Sequence, residues 1–495
     1  IDPILVWSNN DSDLENVIVS GITFNGNSAN NQLTNTVPDA RNVAPIWFGG
    51  IQGGASTIMK NIRIRDCRFI DWSGMSVIVI YDSNNSGDYS EDVQIERCYF
   101  YDVAKGTNIR DHSTIFLQAK DSSVSKCIFT QPLTATDLQR QLSNACELHG
   151  HNTSFIGNKV TRFEFGAYAA STLREDTYNY TFSDNQLFDV AGGFVLIVSG
   201  TATYTVHNVV VKGNLIKFTS LNNLAHPYAQ PWKQGLMISV LKSGLPAFWP
   251  NSVTFEGNTV IGNPTTTDLQ IGVGPQRNRP AGAAPYGFIR TLNVVGNTFI
   301  GINHGIYFDG SLGTADTQFF ALNAHGNIYA DLFLTGGDAS GILVTGYGHP
   351  HPRSVHVSGE TFTNEADEAT YKYGIILTGN IERVSIGENQ FYNMKTGDVT
   401  LSSLVFTTFF GYITATSTWN PDSVSATSQT STTITVAGAA LGDPVTVSFS
   451  LDLELLQLTA YVSAANTVTV ILANHTLGAI NLGSGTLKVR VRKGA

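Results

Sequence analysis

The run Ala145-Cys146-Glu147-Leu148-His149-Gly150-His151 holds the residue types best suited to moving protons. On a strand, side chains alternate between faces, so Cys146 and Leu148 share one face and Glu147 and His149 the other. The unit before this run offers Gln118, Lys120 and Asp121, and the following one offers Tyr168, Arg174, Glu175 and Asp176. Hydrolysis by paired carboxyl groups requires an acid to protonate the leaving oxygen and a second carboxylate to activate water or attack. Glu147 is the expected acid, with Asp121 or Asp176 completing the pair. A second polar group contains Asp268, Gln270, Tyr307 and Asp309. In Gly305-Ile306-Tyr307-Phe308-Asp309, alternation turns Tyr307 and Asp309 outward and sets Tyr168 in the Tyr307 column. Asp309 and Glu147 fall about five repeats apart, roughly 24 Å at the strand spacing. Catalytic carboxylates must lie roughly 5–9.5 Å apart, so these two cannot form one pair.

Longer insertions supply residues for gripping a ligand. Trp232 and Trp249 could stack on sugar rings, and Arg277 lies in Gly274-Pro275-Gln276-Arg277. His149, Tyr168, Lys120, Arg174 and Tyr307 join them as candidate binding residues. The same two tryptophans could equally be buried in packing between chains. No grouping of His, Cys and acids has metal-ligand spacing and no phosphate loop is present, so no metal or cofactor is expected.

The element that must position these residues is an internal repeat. Twelve anchors recur 27 to 45 residues apart: Gly21, Asp66, Arg97, Lys126, Gly157, Asp184, Gly213, Gly257, Gly296, Gly326, Gly359 and Glu388. Two residues before each anchor the side chain is apolar, from Val19 and Ile64 to Val357 and Ile386. Three residues after it the same holds, from Phe24 and Phe69 to Phe362 and Phe391. The next position carries Asn158, Asn185, Asn214, Asn258, Asn297, Asn327 and Asn389, with Cys67, Cys98 and Cys127 in early units. Asn tolerates a left-handed bend, and stacked amides can hydrogen-bond along a column. The cysteines are read as buried thiols continuing that column. A repeat of about 30 residues, alternating with period 2 and rich in Val, Ile and Phe, is one coil of a parallel β-helix.

The expected fold is all-β: a right-handed parallel β-helix of about twelve coils over residues 1–395, the coils themselves starting near residue 14. A Ser/Thr-rich connector over 396–431 and a small β-sandwich over 432–495 follow. Composition agrees. Charged residues are only 14% and hydrophobics 42%, which excludes disorder. A net charge of −10 gives no basic footprint for nucleic acid, and no apolar run is long enough for a membrane span.

A β-helix followed by a small C-terminal β-domain resembles the tailspike proteins of tailed bacteriophages. The tail segment is similar to a module that ends many phage fibres and spikes. Its residues are Trp419-Asn420-Pro421, Val436-Ala437-Gly438-Ala439-Ala440-Leu441-Gly442-Asp443 and Leu458-Thr459-Ala460-Tyr461-Val462. The resemblance implies a homotrimer and a bacterial surface polysaccharide, O-antigen or capsule, as a ligand usually cleaved internally. It also implies action at the bacterial surface from the virion tail, with attachment through an N-terminal head-binding domain expected to lie outside the residues given. His149-Gly150-His151 resembles a polygalacturonase motif, though that family's Asn-Thr-Asp and Asp-Asp elements are absent. Three activities stay open: an endo-acting glycan hydrolase; a lyase using Tyr168 or His149 as base, with Lys120 or Arg174 neutralising a uronate; and a non-catalytic adhesin.

Overall fold

A computed structural model of the chain describes residues 5–7, 13–28, 44–49, 58–74, 76–81, 90–103, 112–135, 143–171, 175–198, 204–220, 232–240, 250–275, 288–309, 318–332, 339–346, 352–364, 373–392, 397–402 and 408–493. By compactness the chain divides into two units. The first comprises Ile1–Arg353, Gly359–Ile381 and Gln390–Val405. The second comprises Ser354–Ser358, Glu382–Asn389 and Phe406–Ala495.

The first unit is a parallel β-helix whose successive strands feed three sheets in turn. Sheet A runs from Leu5–Trp7 to Gly397–Ser402 and sheet C from Thr23–Asn25 to Gln390–Phe391. Sheet B starts at Leu14–Ser20 and reaches Gln318–His325 in this unit. Sheet C holds twelve strands among the described residues, one per coil, as the anchors require. Both apolar columns are register columns. Val19, Ile64, Ile95, Val124 and Phe155 pair in sequence along sheet B, and all are buried. Phe24, Phe69, Phe100 and Phe129 stack along sheet C with ring centroids 4.9, 5.0 and 4.6 Å apart.

The bend sits one residue earlier than the asparagines. Positive φ falls on every anchor from Gly21 (69°) to Gly359 (67°), including Asp66, Arg97, Lys126 and Asp184. The asparagines behind these anchors are instead buried, and each amide donates to the next coil. Asn158 Nδ2 reaches Asn185 Oδ1 at 3.1 Å, and the chain continues through Asn214, Asn258, Asn297 and Asn327. Cys67, Cys98 and Cys127 extend the column as free, buried thiols. The neighbouring Cys127 thiol and burial push Cys98 up to about 12, which suits packing and not redox chemistry.

The ladder's last acceptor breaks its composition. Asn327 Nδ2 donates to both oxygens of Glu360, at 3.2 and 3.1 Å, and Glu360 is fully buried. A carboxyl therefore stands where every preceding coil from Asn158 onward has an amide.

The second unit pairs Ser354–Ser358 with Arg383–Ile386 and then Thr408–Trp419. Thr408–Trp419 turns antiparallel against Gly485–Lys493, which also pairs with Val445–Phe449. A three-stranded antiparallel sheet joins Gln429–Thr435, Thr467–Asn474 and Leu456–Ala464. Two small antiparallel sheets thus follow the β-helix. Val424, Leu456 and Leu472 form a core there, with Trp419 and Leu482 against it. The segment expected as connector instead supplies Gly397–Ser402 and Thr408–Trp419 as strands. Thr is β-branched and favours strands, so Ser/Thr richness misread as linker was strand composition.

Burial raises the Glu360 carboxyl to about 7 while the donors beside it pull the other way. A raised carboxyl pKa means the folded state holds its proton longer than the unfolded chain. The contribution is full below about 4.5, the ordinary value, and is lost as pH rises through about 7. Glu360→Gln is expected to remove this pH dependence and melt higher than wild type at pH above 7, by on the order of 2–3 kcal/mol. Melting curves on both sides of pH 7 check it; parallel wild-type and variant profiles would contradict it.

Candidate functional site

Ser143–Leu148 is the fifth strand of sheet A. Cys146 and Leu148 enter the core, and Glu147 faces outward, as alternation requires. Register defines an outward column through Phe116, Glu147, Tyr168, Val195, Met237, Gly274 and Tyr307. Tyr168 and Tyr307 do share it, and Val195 stands between Tyr168 and Met237 in that column.

Glu147 is held from two sides, its side chain only 16% exposed. Ser113 Oγ donates to Oε2 at 2.9 Å, and His149 Nε2 lies 2.7 Å from Oε1. With the imidazole proton on Nε2, both contacts are donors and favour the ionised carboxylate. The His149 ring packs on Phe116 at 4.8 Å.

A second group of titratable side chains occupies the A-to-B corner. His151 Nε2 lies 2.5 Å from Glu175 Oε1. The His151, Tyr178 and His207 rings stack at 5.7 and 4.7 Å. Asn251 N donates to His207 Nδ1 at 3.1 Å, which places the His207 proton on Nε2, 3.7 Å from Asp176. Burial lowers the His207 pKa, opposed by Asp176. Asp176 also accepts from Thr205 N at 2.8 Å.

The remaining expected residues divide clearly. Asp121 lies on the corner with φ of 53° and accepts from Asn152 Nδ2 at 2.7 Å. It belongs to an outer ladder in which Asn179 and Asn208 follow. That ladder was legible and went unread: Asn or Asp stands five residues before each of the first seven anchors, from Asn16 to Asn208. Lys120 is paired with Glu91 at 2.9 Å, and Glu91 with Lys60 at 3.4 Å.

The second group is not an open patch. Tyr307 is only 7% exposed and donates to Asp309 Oδ2 at 3.2 Å. Asp268 and Gln270, expected outside, are buried. Asp268 takes an ion pair from Lys233 at 2.6 Å, and Gln270 clamps the Asn263 backbone at 2.7 and 2.8 Å. Asp268 lies just before the strand Leu269–Pro275, and Gln270, at the second position of that strand, turns back to the loop before it, so alternation does not predict their direction. Arg174, Trp249 and Arg277 lie outside the described residues, as does the side chain of Trp232. Among the described residues, no three His, Cys, Asp or Glu side chains gather to hold a metal.

Gly150 lets both histidines approach. A methyl there would fall 2.0 Å from the Ala119 carbonyl oxygen. Gly150→Ala is expected to lower the melting temperature and to disorder His149 and His151 together, seen as changed ring-proton chemical shifts of both by NMR.

No protein-family model matches this sequence, and no curated protein matches it either. Solved structures do match. The tailspike protein of E. coli bacteriophage HK620, in complex with pentasaccharide, is 15% identical with a TM-score of 0.65 and covers 90% of this chain and 71% of its own. A mutant of that tailspike with pentasaccharide, also 15% identical, covers 98% and 76% with a TM-score of 0.67. Another mutant, in complex with hexasaccharide, gives 15%, 90% and 71% with 0.64. This chain has the fold of bacteriophage tailspike proteins.

Proposed function

We propose that this chain is the glycan-recognising and glycan-cleaving part of a phage tailspike. Its substrate is a bacterial surface polysaccharide, O-antigen or capsule, cut internally by hydrolysis outside the cell from the virion tail. The observation that carries this reading is Glu147, an outward carboxylate on a rigid strand, fixed by Ser113 and His149 and flanked in its column by Phe116 and Tyr168. Rigid support matters because a misplacement of about 1 Å can cost on the order of a hundredfold in rate. The oligosaccharides bound by the HK620 tailspike give the same fold a glycan ligand.

Its two donors make Glu147 the base or nucleophile of the pair more readily than the acid. The second carboxyl comes from Glu175 or Asp176, both carried to the neighbouring corner at the start of Thr177–Ser183. Asp121 is less suited, being held in the outer ladder. Lys120, one of the two expected partners of a uronate, is already paired with Glu91, which supports hydrolysis over elimination.

Digesting a panel of host polysaccharides tests the reaction. New reducing ends without the ultraviolet absorbance of an unsaturated uronate are expected. Glu147→Gln should lose on the order of 10²–10⁴ in turnover and keep glycan affinity. Asp309→Asn should retain near-normal turnover. The reverse pattern would move the chemistry five coils along the helix, and unsaturated products would make the enzyme a lyase.

The chain assembles as a homotrimer with the 420–495 region contributing. Leu441, Leu455, Tyr461 and Leu477 are 71%, 72%, 52% and 95% exposed in that region, apolar side chains that a neighbouring chain would cover. Light scattering should give three chains per particle, and removal of residues 420–495 should lower that number. A stable monomer of the whole chain would refute it.

A further inference from the structure

One strand of the second unit carries a row of cations with no acid beside them. In Gly485–Lys493, Leu487, Val489 and Val491 are buried, so Lys488, Arg490 and Arg492 point to the opposite face, where all three are exposed. Side chains on one face of an antiparallel strand recur every second residue, roughly 7 Å apart. Register sets hydroxyl groups on both sides of the row. Thr416 and Thr414 lie opposite Lys488 and Arg490 on one neighbouring strand, and Ser448 and Thr446 lie opposite them on the other. Arg490 also covers the Tyr412 ring, its guanidinium carbon 3.7 Å from the centroid, which steadies the middle of the row. Among the described residues of these three strands, no Asp or Glu shares that face.

Elsewhere on this chain, surface cations have acids beside them. Lys60 and Lys120 share Glu91, Arg63 meets Asp92, and Arg97 meets Asp66. Lys488, Arg490 and Arg492 form no ion pair with the described residues. Like charges within a Debye length of one another repel, and a surface that serves solubility alone mixes both signs. Basic residues also guard open sheet edges. Gly485–Lys493 is paired on both sides and has no edge to guard.

We propose that this face binds an extended anionic polysaccharide, one whose sugars carry carboxylate groups. The cations meet the carboxylates, and the planar forks of Arg490 and Arg492 can each hold both oxygens of one group. The flanking Thr and Ser hydroxyls donate to and accept from the sugar hydroxyls. Nucleic acid fits less well, because single strands bind by stacking on aromatic faces, and Arg490 already covers the Tyr412 ring. The choice of a glycan as the polyanion rests on the tailspike reading, whereas the anion site itself stands without Glu147. A polymer held here stays near the chain after each cut, which raises its effective concentration.

The test compares the full chain with its Lys488→Glu/Arg492→Glu variant, which leaves the Arg490–Tyr412 contact in place. Binding to immobilised polygalacturonate is measured by biolayer interferometry, with dextran as neutral control and single-stranded DNA as the rival polyanion. The wild-type chain should bind polygalacturonate and not dextran, and more weakly as salt rises. The variant should bind on the order of tenfold more weakly, with an unchanged melting temperature and an unchanged number of chains per particle. Glu147→Gln should bind as the wild type does, so a failure of the Glu147 reading leaves this inference standing. Equal binding by the variant, or no binding by the wild type, would overturn it. Tighter binding of single-stranded DNA than of polygalacturonate would overturn the glycan assignment. A variant with fewer chains per particle would make the row a contact between copies and overturn the proposal as well.

Discussion

The buried amide ladder from Asn158 to Asn327 is the constraint on which the β-helix depends. Each amide sits away from water and can be satisfied only by the coil beside it, so a slip of one residue would orphan the whole column. An orphaned buried amide costs roughly 1–3 kcal/mol, and the cost would repeat on every coil. A slip would also turn each strand's apolar residues outward, because side chains alternate with period 2. The ladder and the apolar columns therefore enforce the same register. The left-handed residue before each amide makes the corner that aims it inward. Glycine, aspartate, arginine and lysine all occupy that corner, so its geometry is imposed by the coil and not by one residue type.

Functional geometry follows from that register. Ser113 and Glu147 are 34 positions apart in sequence and meet only because their coils stack. The aromatic neighbours of Glu147 arrive in the same way, one per coil. Polar residues in corners obey another logic. Lys233 and Asp268 are almost fully buried and hold each other at 2.6 Å. Their pairing fastens two adjacent coils, and desolvation lowers the Lys233 pKa against the pull of Asp268. Removing either partner would leave a buried charge alone, at a cost of roughly 3–5 kcal/mol. Such groups look catalytic in a sequence and are structural in the fold.

Two ladders of different exposure divide the work. The inner one, amide and thiol, fixes the core. The outer one runs through Asp121, Asn152, Asn179 and Asn208 at exposed corners and joins coils where sheet A turns into sheet B. Glu147 and His149 lie just before that turn, and His151 lies within it. Glu147 thus sits near a corner that the outer ladder stitches from coil to coil, which keeps its side chain from drifting.

Much of this could be read from the sequence. Twelve anchors, two apolar columns and an Asn column determined the coil count, the register and which face Glu147 occupies, because a β-helix repeats one local pattern in which direction follows from parity. The resemblance of the tail segment pointed to tailspikes, and the fold agrees. Parity fails at corners, where the chain turns and neighbouring coils decide what is buried. For that reason Asp268 was expected in the open and Asp121 was expected to be catalytic when it forms a rung, whereas Tyr307 does face outward and is covered by its neighbours His304 and Asp309. The partners of Glu147 are side chains 34 residues before it and two after it, and no spacing rule announces that Ser113 would reach it. The sequence alone determined the scaffold, through repetition. Only tertiary structure decided which polar groups are bonded and which remain open, because that depends on contacts between coils at distances of about 3 Å.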